Sequence, residues 1–240
     1  MRAYWLPKSS SAESEWEDGF AFDESRYLAA VSDGASSAAH ASTWARHLAS
    51  GFVENPFPPA SASEFASWLS GLQRAWSPPT PETNNWWGDV VTKQDSWATV
   101  AVLSANANEG RWQVNLGSIG DTCWFHIRSG VLLSVFPPLG SDDFDSHPEL
   151  VGTSEESMER SAAAYCAEAF DGASGDVVVG ATDALAEWAL RTEANSSGVW
   201  SALERIGMTG LARLTCDERA AGRMVDDDVT LLRCRLGDPS

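Results

Sequence analysis

Apolar residues recur at helical spacing in two segments of the first third of the chain. In residues 38–53 they include Trp44, Leu48 and Phe52, and residues 63–76 show the same spacing of three and four positions. Apolar positions at this spacing form one face of a helix. The pattern therefore predicts two amphipathic helices, each followed by a proline-containing break.

Beyond residue 94 the pattern changes to short apolar runs of strand-like composition, two of them joined by the turn-forming segment Arg128-Ser129-Gly130. These runs are Trp97–Leu103, Trp112–Leu116, Cys123–Ile127 and Val131–Phe136. The last part of the chain predicts a polar loop, a helix, a strand, further helices and a final strand. The loop covers residues 142–156 and the first helix covers 159–169. The two strands are Val177–Val179 and Val229–Leu236, with the further helices between them.

The order of these elements favours one fold class. The strands are mostly consecutive and joined by hairpins, and the helices are grouped between them, which is typical of α+β proteins with antiparallel sheets and not of a doubly wound parallel sheet. We find no internal repeat and no long linker, so residues 1–240 are expected to form one domain.

Acidic residues fall at the ends of several predicted strands. An apolar run ends at Asp33, the run Val177–Val179 leads to Asp183, and Asp226-Asp227-Asp228 precedes the last strand. These carboxylates can share one rim only if the last strand runs opposite to the other two. Taken singly, such an aspartate is more often a turn former or a helix N-cap.

A hairpin predicted ahead of the first helix adds two more acids to this rim. If Phe22 pairs with Tyr27 across the turn, Glu17 and Asp18 lie within a residue or two of Asp33. Several carboxylates in one place repel each other unless they bind cations, and oxygen ligands suit Mg²⁺, Mn²⁺ or Ca²⁺. Gly34 lacks a Cβ, so its carbonyl can approach an ion closely.

Composition narrows the range of partners. The chain has 16 Lys and Arg against 34 Asp and Glu, a formal charge of −18. This argues against nucleic acid and anionic membranes, which are bound through Lys and Arg. Residues 1–8 lack the apolar stretch of a signal peptide and no run approaches ~20 apolar residues, so we expect neither a signal peptide nor a membrane span. Its four widely spaced cysteines form no metal or redox motif, so we expect reduced thiols and a cytoplasmic protein.

Six short blocks in a fixed order resemble the metal-dependent protein phosphatases, the protein phosphatase 2C (PPM) family. The blocks span roughly residues 15–236. They are Glu17-Asp18-Gly19-Phe20, Ala30-Val31-Ser32-Asp33-Gly34, Ala98-Thr99-Val100, Gly120-Asp121-Thr122, Ala181-Thr182-Asp183-Ala184-Leu185 and Asp227-Asp228-Val229-Thr230.

The resemblance implies an α+β fold and an activity. The fold is a four-layer α-β-β-α sandwich, two packed antiparallel sheets flanked by helices. The activity is hydrolysis of phosphoserine or phosphothreonine in proteins, by attack of a hydroxide that bridges two Mn²⁺ or Mg²⁺ ions, with a third ion possible. The implied partners are a phosphorylated protein substrate and a cognate Ser/Thr kinase or its targets, and a monomer is favoured.

The resemblance also implies roles for individual residues. Asp33 would bridge the two ions and act in catalysis, and the Gly34 carbonyl would help to hold one ion. Asp183 and Asp227 would complete the ligand set. Glu17 and Asp18 would hold metal-bound waters, Asp18 also acting in catalysis, and Asp121 would help to bind the third ion.

Two positions depart from the family pattern. Glu13 stands where many members have a phosphate-gripping Arg, and Ala35 stands where some have a His that is a candidate general acid. These departures keep a second hypothesis open, a catalytically weak or inactive pseudophosphatase that binds phosphoproteins or regulates a kinase.

Other groups in the sequence are candidate substitutes for these residues or candidate separate sites. Candidate replacements for the missing cation are Arg26, Arg46 and Lys93, and His40 is a weaker candidate for function on a predicted helix. Asp142-Asp143-Phe144-Asp145 lacks the glycine and terminal glutamate of a calcium loop, which favours a solvated loop, in a region where the family carries a variable flap. Trp86-Trp87-Gly88 is a core corner or an exposed recognition patch.

Overall fold

The computed structural model describes residues 1–9, 11–79, 95–108, 110–144, 147–195 and 198–238. Within these ranges the strands are β1 Arg2–Leu6, β2 Gly19–Asp23, β3 Leu28–Ser32, β4 Trp97–Ala98, β5 Val100–Asn108, β6 Arg111–Ile119, β7 Cys123–Arg128, β8 Val131–Phe136, β9 Val151–Gly152, β10 Cys166–Gly172, β11 Val177–Ala181 and β12 Val229–Arg235. The helices are α1 Ala41–Glu54, α2 Ala62–Ala75, α3 Met158–Ala164, α4 Asp183–Asn195, α5 Val199–Leu203 and α6 Met208–Ala220.

The long strands form two five-stranded sheets, both antiparallel throughout. The first sheet has the order β1-β12-β11-β7-β8 and the second β10-β6-β5-β3-β2. In the first sheet β12 runs opposite to its neighbour β11, the orientation that the shared rim of carboxylates requires.

The two sheets pack face to face, and helices cover both outer faces. The core between the sheets joins Val31 and Leu103 of the second sheet to Trp124, Val178 and Leu232 of the first. Burying side chains of this size contributes roughly 1.5–3 kcal/mol each. The predicted α-β-β-α sandwich is therefore confirmed.

Each helical layer follows from the apolar stripes seen in the sequence. Trp44, Leu48 and Phe52 of α1 pack on the second sheet together with α2, whose side chains also contact α3. On the first sheet, α4 to α6 contribute Leu185, Trp200 and Leu211 to a separate core. Both amphipathic helices of the first third are confirmed to within three residues at each end.

Two predicted elements differ from the structure, and one strand has no counterpart in the prediction. The helix 159–169 ends at Ala164, and Cys166–Gly172 forms β10, whose side chains alternate in burial and which pairs with β6. Pairing with an open sheet edge outweighs the helical preference of an alanine-rich segment. The loop 142–156 includes β9 and a 3₁₀ turn at Glu155–Ser157, and β1 was not predicted at all.

The register of the first hairpin also differs from the prediction. Phe22 pairs with Ala29 instead of Tyr27, a shift of two positions that keeps every side chain on its predicted face. Tyr27 has φ 51° and belongs to the turn. Gly19 pairs with Ser32, so one step further along the rim Asp18 stands beside Asp33.

Two further findings concern membrane-spanning helices and the cysteine thiols. Within the ranges described, no helix is long and apolar enough to cross a membrane. The thiols of Cys123, Cys166, Cys216 and Cys234 are all free.

A buried charge cluster lies at the end of the sheets away from the acidic rim. Asp176, 1% exposed, accepts hydrogen bonds from Arg128 at 2.7 and 2.8 Å, from His126 Nε2 at 2.7 Å and from the Ala173 amide at 2.9 Å. Burial alone would raise the pKa of Asp176, but these donors lower it from 3.8 to about 2. The native carboxylate therefore stabilises the fold above the ordinary pKa, and this contribution is lost as the pH falls toward 2.

We expect Asp176→Asn to lower the free energy of unfolding at pH 7 by about 2 kcal/mol, because a buried acceptor of several donors is lost. The substitution should also flatten the dependence of stability on pH between about 4 and 2. Urea unfolding across this pH range measures both effects.

The matched control is Asp171→Asn, since Asp171 is 71% exposed and its partner Arg111 lies 4.0 Å away. We expect a change within about 0.5 kcal/mol for this variant. Equal losses in the two variants, or an unchanged acid profile for Asp176→Asn, would contradict the account.

Candidate metal centre

The seven predicted site residues lie at one end of the two sheets. Asp33 and Gly34 follow β3, Asp183 begins α4 directly after β11, and Asp227 precedes β12. Asp121 lies between β6 and β7, and Glu17 and Asp18 precede β2. Strand direction alone delivers these residues to one rim, from both sheets.

A cavity of about 530 Å³ opens at this rim. The side chains of Asp33, Asp121, Asp183 and Asp227 line it together with Gly34. Glu17 and Asp18 do not line the cavity. Asp18 is buried, and Glu17 is half-buried beside the cavity wall formed by Ser36.

Asp18 is held from one side by two threonines. Its Oδ2 accepts hydrogen bonds from Thr230 Oγ1 at 2.7 Å and Thr182 Oγ1 at 3.2 Å. Its Oδ1 is buried and has no hydrogen-bond donor among the described residues. A buried carboxylate oxygen without a donor is unfavourable unless a proton or a cation meets it.

Burial and mutual repulsion raise the pKa values of the central aspartates. Burial is the largest cause at Asp33, followed by the charges of Asp18, Asp183 and Asp121. For Asp183, burial is followed by the charge of Asp227. A carboxylate whose charge raises the pKa of its neighbour in this way lies close to that neighbour, and a divalent cation would relieve the repulsion.

Gly34 and Thr99 shape the backbone around Asp33. A Cβ on Gly34 would lie 2.6 Å from the carbonyl oxygen of Glu17, so no larger residue fits there. The Asp33 amide donates to Thr99 Oγ1 at 3.0 Å, and the Thr99 amide donates to the Asp33 carbonyl at 2.8 Å. The Thr99 hydroxyl also bonds that of Thr122 at 2.6 Å. These contacts fix the direction in which Asp33 enters the cavity.

Asp228 joins the N-terminal segment to the rim. It is 3% exposed, and its two oxygens accept from the backbone amides of Lys8 at 2.9 Å and Glu17 at 2.6 Å. Asp228 therefore anchors the residues before β2 to the segment that leads into β12.

Lys8 brings a positive charge into this acidic rim. Its Nζ lies 3.1 Å from Glu17 Oε2, 3.0 Å from Asp227 Oδ1 and 2.7 Å from Ser36 Oγ. Partial burial alone would lower the pKa of Lys8, but the hydrogen bonds to Asp227 and Glu17 raise it, so the ammonium stays charged. Sequence analysis missed Lys8, because only the folded N-terminal strand carries it to the rim.

The donor set fits a hard divalent cation. Every candidate ligand is an oxygen, the type preferred by Mg²⁺ and Mn²⁺. The described side chains do not already form a group of three or more His, Cys, Asp or Glu residues around one point. Lys8 instead neutralises two of the acids, and the Asp18 Oδ1 atom has no donor. The residues suit a cation that would draw the carboxylates together.

Of the candidate substitutes, Arg26, Arg46 and His40 are described by the structure, and none of the three lines the cavity. Arg26 pairs with Asp23 at 2.7 Å at the far end of the first hairpin, and Arg46 donates to the Trp16 carbonyl at 2.8 Å. His40 precedes α1 with φ 57° and is not within a helix as predicted. Lys93 and Trp86-Trp87-Gly88 lie outside the described residues.

Two cavity residues were not anticipated for this role. His147 and Arg160 both line the cavity that holds Asp33 and Asp183. Both follow the region of the predicted variable flap, where no motif in the sequence singles out either residue.

Comparison with known proteins adds a fold assignment. No family profile matches the sequence, and no curated protein matches it. Solved structures match over 98% of this chain and 97% of each of the following chains. They are the photosystem II phosphatase PBCP (17% identity, TM-score 0.62), the Mycobacterium tuberculosis serine/threonine phosphatase PstP/Ppp (15%, 0.60) and the PPM Ser-Thr phosphatase MsPP from Mycobacterium smegmatis (15%, 0.54). The chain therefore has the fold of the PPM-type Ser/Thr phosphatases.

We expect Lys8→Met to strengthen Mn²⁺ binding about tenfold, because a positive charge beside the carboxylates opposes a cation. Without metal, the same variant should unfold at a lower temperature, since Glu17 and Asp227 lose their counter-charge. Calorimetric titration with Mn²⁺ and thermal unfolding in a chelator measure the two effects.

The control is Arg213→Gln, an exposed arginine 3.7 Å from Asp217 on α6. It should change neither quantity. Weaker Mn²⁺ binding in Lys8→Met would show that Lys8 supports the cation and does not compete with it.

Proposed function

We propose that the protein is a protein-serine/threonine phosphatase, a phosphoric monoester hydrolase that depends on Mn²⁺ or Mg²⁺. The observation that supports this most strongly is the convergence of Asp33, Asp121, Asp183 and Asp227 on one cavity of a PPM-type fold. The catalytic domain of the serine/threonine phosphatase PstP, which is 14% identical to this chain, has been solved in complex with two manganese ions.

Asp33, Asp183, Asp227 and the Gly34 carbonyl would hold two ions, with Glu17 and Asp18 holding their waters and Asp121 contributing to a third site. When bound, such ions activate water near neutral pH and neutralise phosphoryl charge. The chain needs no nucleophilic side chain for this reaction.

The protein's own contribution is orientation. Thr182 and Thr230 fix the Asp18 carboxyl group, and Thr99 fixes the backbone of Asp33. Asp18 accepts two hydroxyl donors on one oxygen, which turns the other oxygen toward the side where Asp33 lies. Asp18 and Asp33 are therefore the residues that we assign to catalysis.

The substrate in this proposal is a phosphorylated protein, the target or partner of a cognate Ser/Thr kinase. The high excess of negative charge favours basic substrate proteins. Four free thiols are consistent with a reducing compartment, the cytoplasm. We propose a monomer in which residues 1–240 act as one domain.

We expect Mn²⁺-dependent hydrolysis of para-nitrophenyl phosphate and of a phosphothreonine peptide. Asp33→Asn and Asp183→Asn should each lower kcat/KM at least a hundredfold, because each removes a charged oxygen ligand. Asp171→Asn, an exposed change of the same kind, should retain full activity. Turnover without metal dependence, or turnover unaffected by both substitutions, would overturn the proposal.

A second function, a phosphoprotein-binding pseudophosphatase, is favoured by one observation. Ala35 lines the cavity, and Glu13 lies in an exposed 3₁₀ turn outside its lining, so neither position supplies the expected acid or cation. Calorimetric binding of the phosphothreonine peptide in the presence of Mn²⁺ without any hydrolysis would support this function over the enzyme.

A further inference from the structure

Arg160 is the only lysine or arginine among the described residues that line the carboxylate cavity. It lies on α3, on the side of the cavity formed by residues 147–150 and not by the N-terminal segment. The other polar lining residues are four aspartates, two serines, Thr99 and His147, so Arg160 alone among the described lining residues brings a permanent positive charge.

The guanidinium group is held by one exposed carboxylate. Arg160 Nε and Nη2 each lie 2.9 Å from Glu149 Oε2, and the two side chains are 67% and 51% exposed. Exposed ion pairs of this kind are weak, at most about 1 kcal/mol. A more highly charged anion can therefore displace Glu149 from the guanidinium at little cost.

The pair stands where two cavities meet. Arg160 lines the larger cavity, whereas Glu149 lines a neighbouring one of about 250 Å³, and the two cavities share Asp121, His147 and Pro148. Glu149 can therefore move away from Arg160 without entering the carboxylate cavity.

Among the described residues, the other candidate cations already have acidic or backbone partners. Lys8 is bound to Glu17 and Asp227, and the guanidinium groups of Arg26 and Arg46 are bound elsewhere. A phosphoryl dianion offers paired oxygens that match the fork of an arginine.

We propose that Arg160 binds the phosphoryl group of the substrate and that Glu149 competes with that group for the guanidinium. The inference deepens the proposed phosphatase function and rests on it for the identity of the ligand. It places the phosphate-binding cation on α3, whereas the family pattern places one at the position of Glu13.

The test measures binding of inorganic phosphate to the Mn²⁺-loaded protein by calorimetry, alongside inhibition of para-nitrophenyl phosphate hydrolysis by phosphate. Arg160→Gln should weaken phosphate binding at least tenfold, because a charge-assisted hydrogen bond is lost. The phosphate affinity of Arg160→Lys should lie between those of the wild type and Arg160→Gln. Lysine keeps the positive charge but lacks the paired N–H donors of the guanidinium. Mn²⁺ affinity without phosphate should stay within about twofold.

Glu149→Gln should change the affinity for phosphate in the direction opposite to Arg160→Gln. Removing a competing negative charge should tighten phosphate binding severalfold, whereas loss of a purely structural partner would weaken it. The control Arg111→Gln removes an arginine of similar exposure, 78% against 67%, from an ion pair at the end of β6 away from the cavity. It should leave phosphate binding unchanged.

Several outcomes separate the two proposals. Phosphate binding by Arg160→Gln equal to that of Arg111→Gln would overturn the role of Arg160 and leave the phosphatase function intact. If the wild-type protein shows no turnover but its phosphate binding still depends on Arg160, the phosphatase function is overturned and the role of Arg160 is supported. A wild-type protein that binds no phosphate in Mn²⁺ would overturn the role of Arg160. Weaker binding in Glu149→Gln would overturn the competition.

Discussion

The carboxyl group of Asp18 lies in the interior at the rim of the two sheets, met on one oxygen by Thr182 and Thr230 and on the other by no donor among the described residues. Around it, burial and the charges of Asp18 and Asp183 raise the pKa of Asp33, and burial and the charge of Asp227 raise the pKa of Asp183. A chain with a formal charge of −18 therefore buries part of its negative charge in one place. This unfavourable concentration of charge is the constraint on which the other features of the rim depend. Lys8, the threonine hydroxyls and the Asp228 anchor all offset or organise it.

The antiparallel sandwich makes that concentration possible. Neighbouring strands alternate in direction, so connections alternate between the two ends of each sheet, and every second connection reaches the same rim. The loops β3–α1, β6–β7, β11–α4 and α6–β12 all open there. Because the core between the sheets fixes their separation, the aspartates of the two sheets face each other across a cavity of defined width. The opposite end carries the Asp176 cluster, where the carboxylate accepts hydrogen bonds from Arg128, His126 and the Ala173 amide.

The sequence was informative where a residue's position along a strand decides its location. Strand ends place Asp33, Asp183 and Asp227 at one rim without knowledge of packing, and the helical stripes of α1 and α2 are local patterns. Features set by distant pairing could not be predicted in this way. The strand β10 depends on the exposed edge of β6, and the hairpin register depends on the left-handed backbone of Tyr27. Lys8 and Arg160 reach the rim through β1 and α3, and no spacing in the sequence relates them to the aspartates.

The pairing of β1 with β12 has a consequence for synthesis of the protein. Tyr4 pairs with Leu231, and the Lys8 amide bonds a carboxylate 220 residues further along the chain. On a ribosome, residues 2–8 emerge early and wait for a partner strand that is translated near the end of this sequence. Until then the first sheet has an unpaired edge at β11, and the acidic rim lacks Asp227 and Asp228. A nascent or truncated chain thus has no complete site, so any activity of this rim begins only after the chain has been made through β12.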